Sequence, residues 1–180
     1  MIYKYRVTLD GIKGFYRVYK INADNSLYTF HKQLRSDLEF AVDQPILFKA
    51  FSEEGNIVAK YALIDLGFGT VDITSMAATV KAGAVRFVYF YDVTSKKSVT
   101  ITFEGEEPGF VPYPTVIETK GPNPIEFENG YVAFEDLPEE HRHLPKDEGE
   151  DDEDFDDEEE NDEDEDKDEE DIIYDENEAD

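Results

Sequence analysis

Ala84-Val85-Arg86-Phe87-Val88-Tyr89-Phe90-Tyr91, answered by Ser98-Val99-Thr100-Ile101-Thr102-Phe103, is the stretch that decides the fold class. The first arm places Val85, Phe87, Tyr89 and Tyr91 on one side and Val88 and Phe90 on the other. An apolar run of aromatic and β-branched residues predicts a central strand covered on both faces. The second arm alternates, with Val99, Ile101 and Phe103 inward and Thr100 and Thr102 outward, the period of a half-buried strand. Asp92-Val93-Thr94-Ser95-Lys96-Lys97 links them, so the pair reads as a hairpin seating the core.

Working outward, Ile2 to Leu9 alternates and reads as a strand, and Asp10-Gly11-Ile12-Lys13-Gly14 is a turn. Phe15 to Ile21 is the return strand, with Phe15, Tyr19 and Ile21 on one face. Asp24-Asn25-Ser26 offers capping oxygens for a helix from Leu27 to Leu38. Leu27, Phe30, Leu34 and Leu38 form its apolar stripe, which must lie across a sheet to be buried. Ile46 to Phe51 and Ile57 to Leu66 are two further strands about a turn at Glu53-Glu54-Gly55-Asn56. Gly67-Phe68-Gly69 breaks the pattern, and Ser75 to Val80 fits one short helical turn. Pro108, Pro112, Pro114, Pro122 and Pro124 exclude a long helix and confine any strand there to an edge. Tyr131 to Leu137 reads as a short final helix. The expectation is an α+β domain over residues 1–142: a mostly antiparallel sheet, one main helix on one face, and a β-grasp-like start.

Charge separates the remainder. Residues 147–180 hold 25 acidic residues and one Lys, a net of −24, while residues 1–146 carry 20 acidic and 16 basic residues, a net of −4. Like-charge blocks such as Asp151-Asp152-Glu153-Asp154 have no core-forming period, so residues 143–180 read as a disordered acidic tail. Ile172-Ile173-Tyr174 is an apolar island within it.

Cysteine is absent, which removes disulfides, thiolate metal sites and cysteine nucleophiles together. The N-terminus is charged where a signal peptide would be apolar, and no run has the length of a membrane span. The expectation is a cytoplasmic protein with no membrane association. Gly67-Phe68-Gly69 lacks the third glycine and helix start of a phosphate cradle, and no other cofactor motif is present. The expected cofactor set is therefore empty. His141 and His143 lie beside Glu139 and Glu140, but alternate residues of an extended chain face opposite ways, so no metal site is expected.

Ser26-Leu27-Tyr28-Thr29-Phe30-His31, Tyr89-Phe90-Tyr91-Asp92, the segment Gly121 to Gly130, and Glu140-His141 together resemble the plasmid pRiA4b ORF-3-like family. The similarity spans roughly residues 3–142 and leaves the tail outside. Val93, Thr94, Ser95, Lys97 and Val99 stand where that family has its usual Phe-Gly-Asp, Trp and His. The resemblance implies an α+β fold and no particular reaction.

Asp92 and Glu126 fall in the resembling segments and are candidates for a paired-carboxylate site. Asp92 reads equally as a turn residue, and Glu126 as half of an ion pair. Lys96 and Lys97 at the hairpin tip are candidate phosphate or partner contacts, or solubilising lysines. His31 borders the apolar stripe and reads as a packed, hydrogen-bonded residue. The strong negative charge argues against direct nucleic-acid binding. The favoured function is a non-enzymatic interaction module whose acidic tail captures a basic protein, with Ile172, Ile173 and Tyr174 adding selectivity. The alternatives are an enzyme or ligand-binding domain using Asp92 and Glu126, and a nucleic-acid-associated regulator of mobile elements.

Overall fold

A computed structural model describes residues 1–132 and 137–139. The chain opens with β1 (Ile2–Leu9), β2 (Ile12–Asn22) and α1 (Leu27–Leu38). It continues through β3 (Leu47–Phe51), β4 (Ile57–Ala62) and α2 (Met76–Lys81). The central hairpin is β5 (Arg86–Asp92) and β6 (Lys97–Glu107), followed by β7 (Thr115–Lys120) and α3 (Pro124–Glu128). The strands form one seven-stranded sheet in the order β4-β3-β5-β6-β1-β2-β7, each paired antiparallel with its neighbours. The α+β expectation of a mostly antiparallel sheet with a main helix is met. The β-grasp-like description holds for the order β1-β2-α1-β3 and stops at the sheet, where the second neighbour of β1 is the antiparallel β6.

The hairpin β5–β6 occupies the middle. It joins the β3–β4 hairpin to the β1–β2 hairpin, which make no strand pairing with each other. Helix α1 connects β2 to β3, so its chain crosses the intervening strands on the covered face. Ser26 caps it by accepting the Thr29 N–H at 3.2 Å. Leu27, Phe30, Leu34 and Leu38 are wholly buried against Tyr5, Tyr19, Phe48, Phe87 and Tyr89 of the sheet. Met76 of α2 and Phe127 of α3 join the same core.

The other face has no covering element among the described residues, which corrects the expectation of a doubly covered β5. Phe87 and Tyr89 are buried, but Val88 and Phe90 are half-buried and Arg86 is exposed. Long side chains do what a second layer would have done. The Lys49 ammonium lies 4.8 Å from the Phe90 ring centroid, and the Arg86 guanidinium 5.1 Å from that of Phe51. Further along, Lys4 and Arg6 pair with Glu104 and Glu118. Arg6 and Glu118 are the register neighbours of Val18, which is buried on this outer face beneath them.

The N-termini of α1 and α2 cap one another. Leu27 and Tyr28 N–H donate to the Thr74 and Val71 carbonyls, and Met76 and Ala77 N–H donate to those of Asn25 and Ala23. Four donors that helix geometry leaves orphaned are thereby satisfied. Gly67-Phe68-Gly69 is a turn as expected. Its three N–H groups all donate to Asp65 Oδ1, at 2.7, 3.1 and 2.9 Å. These bonds hold the Asp65 carboxyl below its ordinary range.

Several boundaries differ from expectation: β2 begins at Ile12, within the expected turn, and β6 runs on to Glu107, beyond Phe103. Strand β4 ends at Ala62 rather than Leu66. The last described helix is α3, not Tyr131 to Leu137; Tyr131 and Val132 are not helical, and residues 133–136 lie outside the described residues. Asn123 and Pro124 supply the start of α3, with proline at the first helical turn, where its missing N–H costs nothing. Strand β7, amid the prolines, is an edge strand as expected. Among the described residues no helix is long and apolar enough to cross a membrane.

Candidate functional site

Strand β5 delivers Tyr89, Tyr91 and Asp92 to the end of the sheet nearest the C-terminus of α1. Tyr89 is buried. Its hydroxyl receives the Arg35 Nε–H at 3.3 Å and lies 2.9 Å from His31 Nδ1. The hydroxyl has two lone pairs and one proton, so it forms the His31 bond with either neutral tautomer of the imidazole. Burial, with the Arg35 charge adding to it, pushes His31 down to about 4 from its ordinary 6.5. His31 is therefore a core histidine.

The sign of its linkage follows. Between about pH 6.5 and 4 the unfolded chain binds a proton at this residue that the folded chain refuses. The contribution to stability is complete above the unfolded value and is lost as the pH falls, by up to about 3 kcal/mol. Urea denaturation of the wild type and His31→Gln should show wild-type stability falling relative to the variant from pH 7 to pH 4. A pH-independent difference between the two would contradict this assignment.

At the end of α1, Glu39 adopts the left-handed conformation (φ 57°) and turns Phe40 back onto the sheet. Phe40 stacks on Tyr91 at 4.2 Å with an interplanar angle of 4°. The Tyr91 hydroxyl donates to Glu128 Oε1 at 2.8 Å, and Lys97 Nζ donates to Glu128 Oε2 at 2.5 Å. Burial first, then the Glu128 bond and charge, raises the Tyr91 phenol, so it stays a donor. The bond to Glu128 likewise holds the Lys97 ammonium charged.

Asp92 starts the hairpin turn. Its Oδ1 accepts the Ser95 N–H at 2.9 Å, which is the main reason its carboxyl is held below the ordinary range. Glu39 Oε2 accepts from Asn123 Nδ2 at 3.1 Å. The Asn123 Oδ1 in turn accepts from Arg17, whose buried guanidinium also donates to the Tyr16, Lys120 and Gly121 carbonyls. This chain of bonds fastens α3 to β2 and to the end of α1.

These groups enclose a hollow of about 120 Å³. Its wall includes Glu39, Gln44, Tyr91, Asp92, Lys97 and Glu128. Three carboxylates thus face one ammonium. Gln44 Oε1 is a buried acceptor with no hydrogen-bond partner.

Asp92 and Lys97 lie in this wall, whereas Lys96 is exposed at the hairpin tip in a left-handed conformation (φ 58°) and lines a neighbouring, broader concavity. Glu126 is exposed on α3 and does not line the hollow; Glu128, two residues on, holds the place expected of it. His31 lines it no more than Glu126 does. Helical spacing from Pro124 contained the clue, because the buried Pro124 puts Phe127 and Glu128 on the inward side of α3 and Glu126 on the other. Glu39, Phe40 and Gln44 were missed because nothing local marks the reversal after α1. Ile172, Ile173, Tyr174, His141 and His143 lie outside the described residues. Among the described residues no group of three or more His, Cys, Asp or Glu side chains is placed to hold a metal ion.

No protein-family model matches the chain, and none of the curated proteins does. A crystal structure of a protein of unknown function from Methanosarcina mazei Go1 is similar to it, with 15% identity and a TM-score of 0.51, over 66% of this chain and 68% of that one. At that identity the likeness is one of fold.

Proposed function

We propose that this chain is an interaction module for basic protein segments, in which the hollow beside the hairpin tip seats a lysine or arginine side chain. The observation that carries the reading is the composition of that hollow. Three carboxylates outnumber one ammonium, and an aromatic ring forms part of the wall. A guanidinium or ammonium favours an aromatic wall and has the complementary charge. The hollow has room for a charged head group and part of its stem. The acidic tail has the same sign and attracts the same partner over a longer range.

The resemblance to the pRiA4b ORF-3-like family belongs to the same proposal. His31 meets Tyr89, and Tyr91 meets Glu128, so three of the resembling segments come together around β5. The enzymatic alternative required Asp92 and Glu126 in one site, and Glu126 does not line the hollow.

The test uses the full chain and a Glu39→Gln/Asp92→Asn variant. Both replacements keep a side-chain oxygen for the Asn123 and Ser95 bonds and remove two charges. Titration with the peptide Gly-Arg-Gly at moderate salt, followed by NMR at the hollow, should show affinity reduced about tenfold or more, equivalent to about 1.4 kcal/mol. Equal affinity for wild type and variant would end this reading, because the tail is identical in both.

A further inference from the structure

The loop between β4 and α2 displays an apolar surface that the fold does not use. Leu63 is 58% exposed, Ile64 73%, Leu66 43%, Phe68 51% and Ile73 75%. Apolar side chains on a wandering loop would carry little meaning, but this loop is fastened along its length. Asp65 holds three of its N–H groups. The Val71 N–H donates to the Ala62 carbonyl at 2.9 Å, and the Val71 side chain is wholly buried. The Val71 and Thr74 carbonyls receive the first N–H groups of α1. The backbone is thus set by groups other than the five exposed side chains, which are presented to solvent in a prepared arrangement.

We propose that this loop is a docking surface for the apolar face of a basic amphipathic segment of another protein. Exposed apolar groups rimmed by polar ones mark interaction surfaces, and an ordered loop loses little entropy on binding. Charge selects the occupant. Residues 63–75 contain Asp65 and Asp72 and no Lys or Arg, and both carboxyls are held below their ordinary range by hydrogen bonds. A second copy would bring two chains of net charge −28 together, whereas a basic segment is attracted. The loop meets the N-terminus of α1 and the hollow lies at its C-terminus, with a helix of 12 residues, about 18 Å, between them. The surface therefore stands independently of the hollow.

The test compares two synthetic peptides of equal charge: an amphipathic helix of leucine and lysine, and a lysine–serine peptide without an apolar face. Each is titrated into the full chain and into an Ile64→Ser/Leu66→Ser/Phe68→Ser variant at moderate salt. All three residues are exposed, so circular dichroism should show the fold retained. The leucine–lysine peptide is expected to lose about tenfold or more in affinity for the variant, and the lysine–serine peptide to be unaffected. Asp65→Ala keeps the apolar groups, frees the three N–H groups and removes one charge, so it should weaken the leucine–lysine peptide by several-fold more than the lysine–serine peptide, which loses only the charge. Equal binding of that peptide to wild type and the serine variant would overturn the proposal. So would a parallel loss of both peptides, a wild-type dimer in sedimentation that the serine variant abolishes, or unchanged binding by Asp65→Ala.

Discussion

Phe87→Ala is expected to destabilise the protein by about 3–5 kcal/mol, from lost transfer energy and the cavity left behind. Phe87 is wholly buried in β5, opposite Ala50 of β3 and Ile101 of β6. Its ring centroid lies 6.2 Å from those of both Tyr5 and Phe48, so its removal takes one aromatic contact from each. Such a loss is a large fraction of the 5–15 kcal/mol typical of a domain. The informative control is Phe90→Ala in the same strand. Phe90 is half-buried and faces outward, where the lysine covering it can move; its truncation should cost about 1 kcal/mol. Urea denaturation of the pair distinguishes a sheet covered on one face from one covered on both. Similar losses for the two would mean the outer face is sealed after all.

Arg17→Leu is the second large effect, expected at about 3 kcal/mol. The guanidinium donates to the Lys120 carbonyl at 2.7 Å, to those of Tyr16 and Gly121 at 2.9 Å, and to Asn123 Oδ1 at 3.1 Å. A hydrogen bond from a charged donor contributes about 1.5–3 kcal/mol net, and leucine leaves several oxygens without one. Arg17→Lys should not rescue, because one ammonium cannot reproduce a planar fork serving separate acceptors. The same junction tolerates no side chain at Gly121. Its φ is 72°, and a Cβ there would stand 2.0 Å from the Gly14 carbonyl oxygen. Hydrogen exchange in Arg17→Leu should rise first in β7 and α3, the elements the guanidinium fastens. A stability change under about 1 kcal/mol with unaltered exchange would show that Arg17 is incidental to this junction.

Much of the fold was legible because its signals are local. Helix α1 runs from Leu27 to Leu38 as its stripe and cap predict, and the β5–β6 hairpin sits where alternation put it. The cover of β5 was misread because an apolar run records that a face avoids water, not what shields it. Lys49 and Arg86 stems shield Phe90 and Phe51, and no periodicity encodes that. The apolar run from Ile57 to Leu66 resembled a single strand for a similar reason. Departure from the sheet at Ala62 depends on Val71 returning to its carbonyl, a contact made by residues further along the chain. At the hollow, Asp92 and Lys97 were identifiable from the hairpin tip, but Glu39 and Gln44 arrive by tertiary folding alone.

The strand order also sets a timetable. Synthesis delivers the β1–β2 hairpin, then α1, then the β3–β4 hairpin, before any residue of β5 or β6 exists. Until then β1 and β3 each show a naked inner edge, since their missing neighbours are β6 and β5. Ile2 finds its partner only at Glu107, more than half the described chain later. Pairing over such separations raises the contact order and slows folding, and unpaired strand edges invite aggregation while they wait. The central hairpin therefore acts as a keystone, set after the hairpins on either side of it and closing both inner edges at once. A nascent chain of this protein is most vulnerable in the interval between the emergence of β3 and the closure of β6.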